Sequence, residues 1–281
     1  MLYGKKAIIT GGVRGIGFII ASELVKQGAK VVICSRSKKE IYSALVLLNK
    51  KKKSAFGITA DVSDYDSCQK LVFYSLKTLG SIDILINNAG IYGPIGKLEK
   101  NDHLLWRQTI QTNLMGALYS SKLVIPTMKK QKSGKIINLA GKGIGGVEVP
   151  PRFSAYITSK TAIAGLTECL SQELSEYNIQ VNCISPGGVY TALIDYLISS
   201  GPDKAGSRAY AKALEIKKNS KASSTRLVKL ISFLCSKYSN HLTGRLISSK
   251  WDSVEKLKKA DKLSPNLYKL RRIDGKLFYE K

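Results

Sequence analysis

Short runs of apolar, mostly β-branched residues alternate with longer amphipathic segments along most of this chain. The apolar runs have the length of buried strands, and the segments between them repeat their apolar positions with helical spacing. Strands are predicted at residues 5–10, 30–34, 54–60, 83–87, 135–140, 179–185 and 245–249. The helices predicted between them include residues 15–27, 38–50, 64–79 and 154–177.

This alternation predicts an α/β fold: a doubly wound parallel sheet of about seven strands with helices on both faces. Ligands of such sheets bind at the carboxyl ends of the strands. We expect one domain over residues 1–250, with no internal repeat and no linker. Residues 251–281 form a basic extension with interspersed apolar side chains, which predicts packing on the domain or on a partner subunit.

The net charge of +25 is extreme and favours anionic partners in general. Only nine of the 45 basic residues are arginine, however, and the lysines are spread along the whole chain. We therefore interpret the charge first as composition and solvated faces, and second as a preference for anionic small molecules. Nucleic-acid binding is not expected.

No apolar run approaches the roughly 18 residues of a membrane span. The N-terminus enters the first strand without a leader, so a cytoplasmic location without membrane contact is expected. The cysteines are scattered, without CxxC spacing or a neighbouring histidine, which argues against a metal site or a disulfide framework. We expect all five to be small core residues: Cys34, Cys68, Cys169, Cys183 and Cys235.

A glycine-rich turn, Thr10 to Gly17, follows the first strand and opens the first helix. Gly11 would allow the tight turn, Gly15 the approach of a diphosphate to the backbone, and Gly17 close packing of helix and strand. Ile16 is assigned to the same site. The Gly-x-x-x-Gly-x-Gly spacing alone is a weak signal, but its position between strand and helix favours a nucleotide site.

The corner after the second strand reads Ser35-Arg36-Ser37 and carries no acidic residue. An acid at this corner would take the ribose hydroxyls of NAD. Arg36 and Arg14 instead suit the 2′-phosphate of NADP through charge-assisted hydrogen bonds, so NADP(H) is the predicted cofactor. The alternative is that both are ordinary surface cations.

From residue 5 to about 249 the chain resembles the short-chain dehydrogenase/reductases. The resemblance is carried by a series of motifs in order and spacing: Thr10–Gly17, Asp61-Val62, Asn87-Asn88-Ala89-Gly90, Asn113, Tyr156-x-x-x-Lys160, and Pro186-Gly187 with Thr191. It implies an oxidoreductase that moves a hydride between NADP(H) and a small carbonyl or alcohol substrate, and a homodimer or homotetramer.

The resemblance also implies where the cofactor would lie. Asp61 and Val62 would line the adenine pocket, and the backbone of Asn88, Ala89 and Gly90 would run beside the adenosine ribose. At the other end, Pro186, Gly187 and Val189 would cradle the nicotinamide, with Thr191 on its amide or phosphate.

Tyr156 and Lys160 are four residues apart on a predicted helix, so they share one face. A free phenol is a poor acid–base group at neutral pH. A nearby ammonium and the oxidised nicotinamide would lower its pKa, so Tyr156 is the predicted acid/base and Lys160 its activator. Lys160 would also hold the nicotinamide ribose, and Asn113 would support it through a water.

One expected group is missing. Members of the family have a serine after the fifth strand that binds the substrate oxygen, and here that position falls on Ala140 or Gly141. A backbone N–H from Gly141 to Gly143, the Lys142 side chain or Ser154 could replace it, or the substrate could bring its own polar group. The alternative is a weakened relative that binds NADP(H) as a structural or regulatory ligand.

Substrate specificity is expected from residues 192–220, a helical, lysine-containing segment that a Gly201-Pro202 break makes a candidate lid. An anionic sugar nucleotide or thioester would suit the basic surface.

Overall fold

The seven predicted strands are confirmed, with ends that move by no more than one residue. The computed structural model describes residues 2–141, 143–144, 149–219, 221–259 and 267–271 of the chain. Its strands are β1 (Lys6–Thr10), β2 (Lys30–Ser35), β3 (Ala55–Thr59), β4 (Ile84–Asn87), β5 (Gly134–Leu139), β6 (Ile179–Ser185) and β7 (Leu246–Ser248).

All neighbouring strands pair in parallel, in the order β3-β2-β1-β4-β5-β6-β7. The chain runs outward from β1 in one direction to β3 and then returns to β4 on the other side. The loops after β1 and β4 therefore diverge and leave a crevice at the carboxyl ends of these strands.

The helices connect these strands and cover the sheet on both faces. They are α1 (Gly15–Lys26), α2 (Lys38–Leu48), α3 (Tyr65–Leu79), α4 (His103–Ile110), α5 (Gly116–Gln131), α6 (Ser154–Glu173), α7 (Ala192–Ser199), α8 (Gly201–Ala205), α9 (Ser207–Asn219), α10 (Lys221–Leu234) and α11 (Val254–Lys258). A π-helical turn, Gln111–Met115, joins α4 to α5. Helix α6 stops short of the predicted residue 177, and its continuation, Ser175–Tyr177, is a 3₁₀ turn.

Successive strand residues point to opposite faces, which explains the continuous apolar runs of the sequence. In β1, Ile9 packs into the core under α1 and α10, whereas Ile8 packs into the core under α3 and α5. The same alternation places Val31 and Val32 of β2 on opposite sides. Both faces of the sheet are thus buried, so a ligand site is expected at the ends of the strands.

The cysteines follow the prediction with one exception. Four are buried and free, and burial raises the pKa of Cys34 to about 12, which keeps its thiol protonated. Cys169 is exposed on α6, so the expectation of a core residue is wrong at that position. It lies on the outer face of a helix whose inner face is already filled by small residues such as Ser171 and Thr167.

The described part of the C-terminal extension lies against the domain. The amide of Leu246 in β7 donates to the Tyr268 carbonyl at 2.6 Å. Arg271 and Lys269 both bind the Glu168 carboxylate on α6, at 3.0 Å and 3.1 Å, and hold its pKa at about 2. Residues 260–266 and 272–281 of the predicted extension lie outside the described residues. No helix in the described ranges is both long and apolar enough to cross a membrane.

Candidate active site

A cavity of about 630 Å³ opens at the carboxyl ends of the strands, where the strand order reverses. Its volume lies in the range usual for ligand sites. Most of the predicted cofactor residues line it: Gly11, Arg14, Gly15, Ile16, Ser35, Arg36, Asp61, Val62, Asn88, Ala89, Gly90, Tyr156, Lys160, Pro186 and Thr191. Gly17, Gly187, Val189 and Asn113 are not among the residues that line it.

The glycine turn is fastened to the loop after β4. The Asn88 side chain donates to the carbonyls of Thr10 and Gly11, at 2.9 Å and 3.0 Å. In return the Thr10 hydroxyl accepts the amides of Asn88 and Ala89, at 3.0 Å and 3.1 Å. A Cβ at Gly17 would collide with this junction, which explains a glycine at a position that does not itself face the cavity.

The corner after β2 differs from the prediction, because an acidic side chain reaches it. Glu40, in the first turn of α2, accepts a hydrogen bond from Arg14 at 3.1 Å and another from the Ser35 hydroxyl at 3.2 Å. Residues 35–37 carry no acid of their own, as predicted, but Glu40 brings a carboxylate to this corner from α2. Ser37 caps α2 by accepting the Glu40 amide, and this cap turns the carboxylate toward the glycine turn.

The next wall of the cavity follows β3. The Asp61 carboxylate accepts the amide and the hydroxyl of Ser63, at 2.9 Å and 2.7 Å, which fixes the turn into α3. Val62 is buried beside it. This wall faces Arg14 and Arg36 across the same end of the cavity.

Lys160 and Tyr156 line the cavity from α6, near the end of β5, which the strand order separates from β2 by β1 and β4. The Lys160 ammonium donates to the Leu139 carbonyl at 2.8 Å, and burial lowers its pKa to about 8. Lys160 Nζ and Asn113 Oδ1 both lie close to Gly90, at 3.3 Å and 3.1 Å from an ideal Cβ built there.

Asn113 is fixed by its own contacts. Its side chain accepts the Ile91 amide at 2.8 Å and donates to the Ile91 carbonyl and to the Ser159 hydroxyl, both at 2.9 Å. The π-helical turn that carries Asn113 aligns it with this loop, and such turns recur at functional sites. Asn113 thereby joins the loop after β4 to the helix that carries the tyrosine and the lysine.

The Tyr156 phenol is enclosed by aromatic and apolar neighbours. Its ring meets Tyr92 edge to face, with centroids 4.7 Å apart, and Tyr92 in turn contacts Phe153. Burial raises the pKa of Tyr156, and the neighbouring Tyr92 raises it further. The described residues thus do not produce the lowering of this pKa that was expected from Lys160, whose ammonium is directed at the Leu139 carbonyl.

Geometry separates the two positions considered for the missing serine. Ala140 is buried against Ile163 and Cys183 and lines the cavity, from which Gly141 is absent. Gly141 faces the phenol directly, since an ideal Cβ there would lie 2.6 Å from Tyr156 Cε1 and closer still to the hydroxyl. Position 141 is therefore the one that a side-chain donor would occupy, and it has no room for a side chain.

The other predicted replacements for the serine differ in position. The Ser154 hydroxyl accepts the indole N–H of Trp106 at 3.2 Å, and Ser154 does not line the cavity. Lys142 lies outside the described residues. Tyr92, which the sequence did not single out, lines the cavity beside Tyr156, and no hydrogen bond of its hydroxyl is found among the described residues.

The loop after β6 closes the cavity at this end. Pro186 and Thr191 line it, and the Ser249 hydroxyl holds the Pro186 carbonyl at 2.6 Å. Val189 is buried in the core behind the loop. Gly187 has φ +74°, a left-handed conformation that suits glycine, and faces Ser249.

A second, smaller cavity of about 50 Å³ adjoins Tyr156 on the side of the candidate lid. The helices α7, α8 and α9 form this segment, with a break at Gly201 as predicted. The wall is almost entirely apolar, with one lysine: Tyr92, Pro150, Phe153, Tyr156, Ile157, Ile194, Leu197, Ala209, Lys212, Ala213 and Ile216. Ser220 lies outside the described residues.

Comparison with solved structures matches this architecture. The chain superposes on an NAD⁺-bound xylitol dehydrogenase with a TM-score of 0.77 at 25% identity, covering 88% of this chain and 98% of the other. It also superposes on a variant of actinorhodin polyketide ketoreductase with NADPH, with a TM-score of 0.76 at 26% identity over 87% and 95% of the two chains.

Sequence comparison agrees. Dehydrogenase/reductase SDR family member 4 of Pongo abelii is 32% identical over 88% of this chain and 86% of that protein. The protein of the same name in Caenorhabditis elegans is 36% identical over 71% and 76%. Residues 5–200 match the family model for short chain dehydrogenases. The chain thus belongs to the short-chain dehydrogenase/reductase family of Rossmann-fold oxidoreductases, which use nicotinamide cofactors.

Proposed function

We propose that the protein transfers a hydride between NADP(H) and a small carbonyl or alcohol substrate. The observation that carries the proposal is the position of Tyr156 and Lys160, which face one end of the cavity whose other end carries Arg14 and Arg36. A dinucleotide that spans this cavity would bring its nicotinamide to the phenol. When bound, NADPH would supply the hydride that reaches the carbonyl carbon.

Tyr156 donates the proton that the carbonyl oxygen takes up during reduction. Burial keeps its phenol protonated at neutral pH, and a protonated phenol is the form that this step needs. Lys160, one helical turn along α6, supplies a positive charge to the cavity in which the phenolate develops, and Asn113 positions the loop and the helix between which the substrate lies. In the oxidative direction the phenol must first lose its proton, so alkaline pH favours that direction.

Tyr92 replaces the missing serine as the hydrogen-bond donor to the substrate oxygen. Its ring lines both cavities beside Tyr156, and burial raises the pKa of its phenol to about 12, so it is a hydrogen-bond donor at neutral pH. A donor aimed at the carbonyl oxygen stabilises the charge that develops there. This arrangement supports an active enzyme over a relative that only binds nucleotide.

The second cavity supports a substrate whose carbonyl carries an apolar substituent. Phe153, Ile157 and Leu197 offer such a group only dispersion contacts and burial. Lys212 lines this cavity and is paired with Glu215 at 2.6 Å, so an anionic substrate group would have to displace Glu215 to bind it. An apolar carbonyl compound therefore fits this wall better than the anionic sugar nucleotide considered from the charge.

Cofactor choice rests on the two arginines at the adenosine end, since the solved relatives include one with NADPH and one with NAD⁺. The homodimer or homotetramer and the cytoplasmic location implied by the sequence stay predictions.

The test is turnover with NADPH across aldehydes, cyclic ketones and sugar nucleotides. Loss of NADPH absorbance with at least one carbonyl compound is expected. Tight binding of NADPH without turnover on any of them would favour the alternative, a relative that keeps the nucleotide as a structural or regulatory ligand.

A further inference from the structure

A carboxylate of the protein already holds two of the side chains that line the adenosine end of the cavity. Arg14, Ser35 and Arg36 line this corner, and Glu40 fills the space between the first two. Each oxygen of the carboxylate has one donor: Oε1 accepts from Arg14 at 3.1 Å, and Oε2 accepts from Ser35 at 3.2 Å. These are the donors that a 2′-phosphate at this corner would use.

The position of Glu40 is fixed by local structure. Ser37 accepts the Glu40 amide at 3.2 Å and donates its own amide to the Ser35 hydroxyl at 3.3 Å. The carboxylate also lies in the first turn of an eleven-residue helix, where the helix dipole favours negative charge. The Arg14 side chain is 67% exposed and the Glu40 side chain 37% exposed, so a ligand can reach their ion pair and break it.

Two anions at this corner would compete for Arg14 and Ser35, although the Arg14 guanidinium has N–H donors besides the one that Glu40 uses. A phosphate monoester carries about −1.5 to −2 charges at neutral pH, and a carboxylate beside it would repel it. Binding of NADP(H) therefore pairs the phosphate with an arginine that Glu40 already holds, and it is weaker as long as the carboxylate stays in place. Binding of NAD(H), which has ribose hydroxyls instead, requires no such exchange, and a carboxylate can accept those hydroxyls.

Building on the proposed function, we propose that Glu40 is a specificity-determining residue that competes with the cofactor 2′-phosphate for Arg14. It holds the affinity for NADP(H) below what two arginines would give and preserves the affinity for NAD(H). The protein is thereby able to use both cofactors, and Glu40 sets the ratio.

The test measures binding of NADP⁺ and NAD⁺, which differ only in the 2′-phosphate, by titration calorimetry at fixed ionic strength. In Glu40→Gln the Kd of NADP⁺ should fall about three- to tenfold. The Kd of NAD⁺ should not fall. The matched control is Glu176→Gln, which removes one exposed carboxylate away from the cavity and should change neither constant.

A double-mutant cycle isolates the pair. With Arg14→Gln in place, Glu40→Gln should change the ratio of the two constants less than it does in the parent, because only the direct repulsion between carboxylate and phosphate is then removed. An unchanged ratio in the single Glu40→Gln variant overturns the inference, and so does an equal gain for both cofactors, which would reflect general charge. If the parent binds neither cofactor, the proposed function fails as well; if it binds both and Glu40→Gln leaves the ratio unchanged, only the role of Glu40 fails.

Discussion

Gly141 and Tyr156 lie in direct contact, because an ideal Cβ at position 141 would stand 2.6 Å from Cε1 and 2.7 Å from Cζ of the phenol. The absence of a serine hydroxyl at this position is thus matched by the absence of space for one. The phenol occupies the side of the active site from which a side-chain donor would otherwise reach the substrate oxygen.

Gly141→Ser is therefore expected to lose turnover rather than gain it. The new Cβ would displace the Tyr156 ring, and overpacking of this kind costs about 1–3 kcal/mol of stability. The measurement is the rate of NADPH oxidation together with the free energy of unfolding. Gly165→Ser, on the same helix as Tyr156 but with open space at its Cα, is the matched control and should be near neutral. A faster Gly141→Ser enzyme would contradict this account of the site.

Tyr92→Phe should lower kcat by about ten- to a hundredfold while the Kd of NADPH stays the same. The variant keeps the ring that packs on Tyr156 and removes only the hydroxyl that we assign to the substrate oxygen. The control is Tyr119→Phe, which keeps a similar edge-to-face contact with Tyr65, 5.3 Å away, outside both cavities. Equal kcat values for the parent and Tyr92→Phe would mean that backbone donors, and not Tyr92, bind the substrate oxygen.

The pH dependence of reduction should follow Lys160. Burial lowers its pKa to about 8, so its charge is present below pH 8 and is lost as the pH rises through that value. The rate of reduction at saturating NADPH should therefore be level near neutrality and decline above about pH 8. In Lys160→Arg, whose guanidinium stays charged, the decline should disappear at a lower overall rate. A parent profile that stays level well above pH 8 would argue against this role.

Glu168→Gln should loosen the C-terminal extension without unfolding the domain. The Glu168 carboxylate binds Lys269 and Arg271, and its pKa of about 2 keeps it charged across the neutral range. Limited trypsin digestion should cut after these two basic residues a few times faster in the variant. Glu173→Gln, on an exposed position of the same helix, should digest like the parent. Equal digestion of all three proteins would mean that other contacts hold the extension.

The sequence predicted the sheet, the glycine turn and the catalytic helix because each leaves a periodic or spaced signal. Apolar residues on both faces of β1 and β2 produce unbroken runs, and the spacing of Tyr156 and Lys160 is one helical turn. These features depend on residues close together in the chain, so pattern and propensity are enough to find them.

The remaining features depend on side chains that meet across the fold. Glu40 reaches Arg14 over a separation of 26 residues, and only the Ser37-x-x-Glu40 capping pattern hints at its position in the first turn of α2. Tyr92 stands in a loop without periodicity. The choice between Ala140 and Gly141 needed the distance to Tyr156, because the sequence alone left both positions open.

The central claim is that Tyr156 gives its proton to the carbonyl oxygen while NADPH transfers a hydride to the carbonyl carbon. Its most direct test uses NADPH deuterated at the transferable position and follows deuterium into the alcohol product, in the parent and in Tyr156→Phe, with Tyr177→Phe as a control outside the cavity. The account predicts transfer in the parent and the control, and unchanged NADPH binding in Tyr156→Phe with kcat lowered at least about a hundredfold. Transfer by Tyr156→Phe at the parent's rate would contradict it.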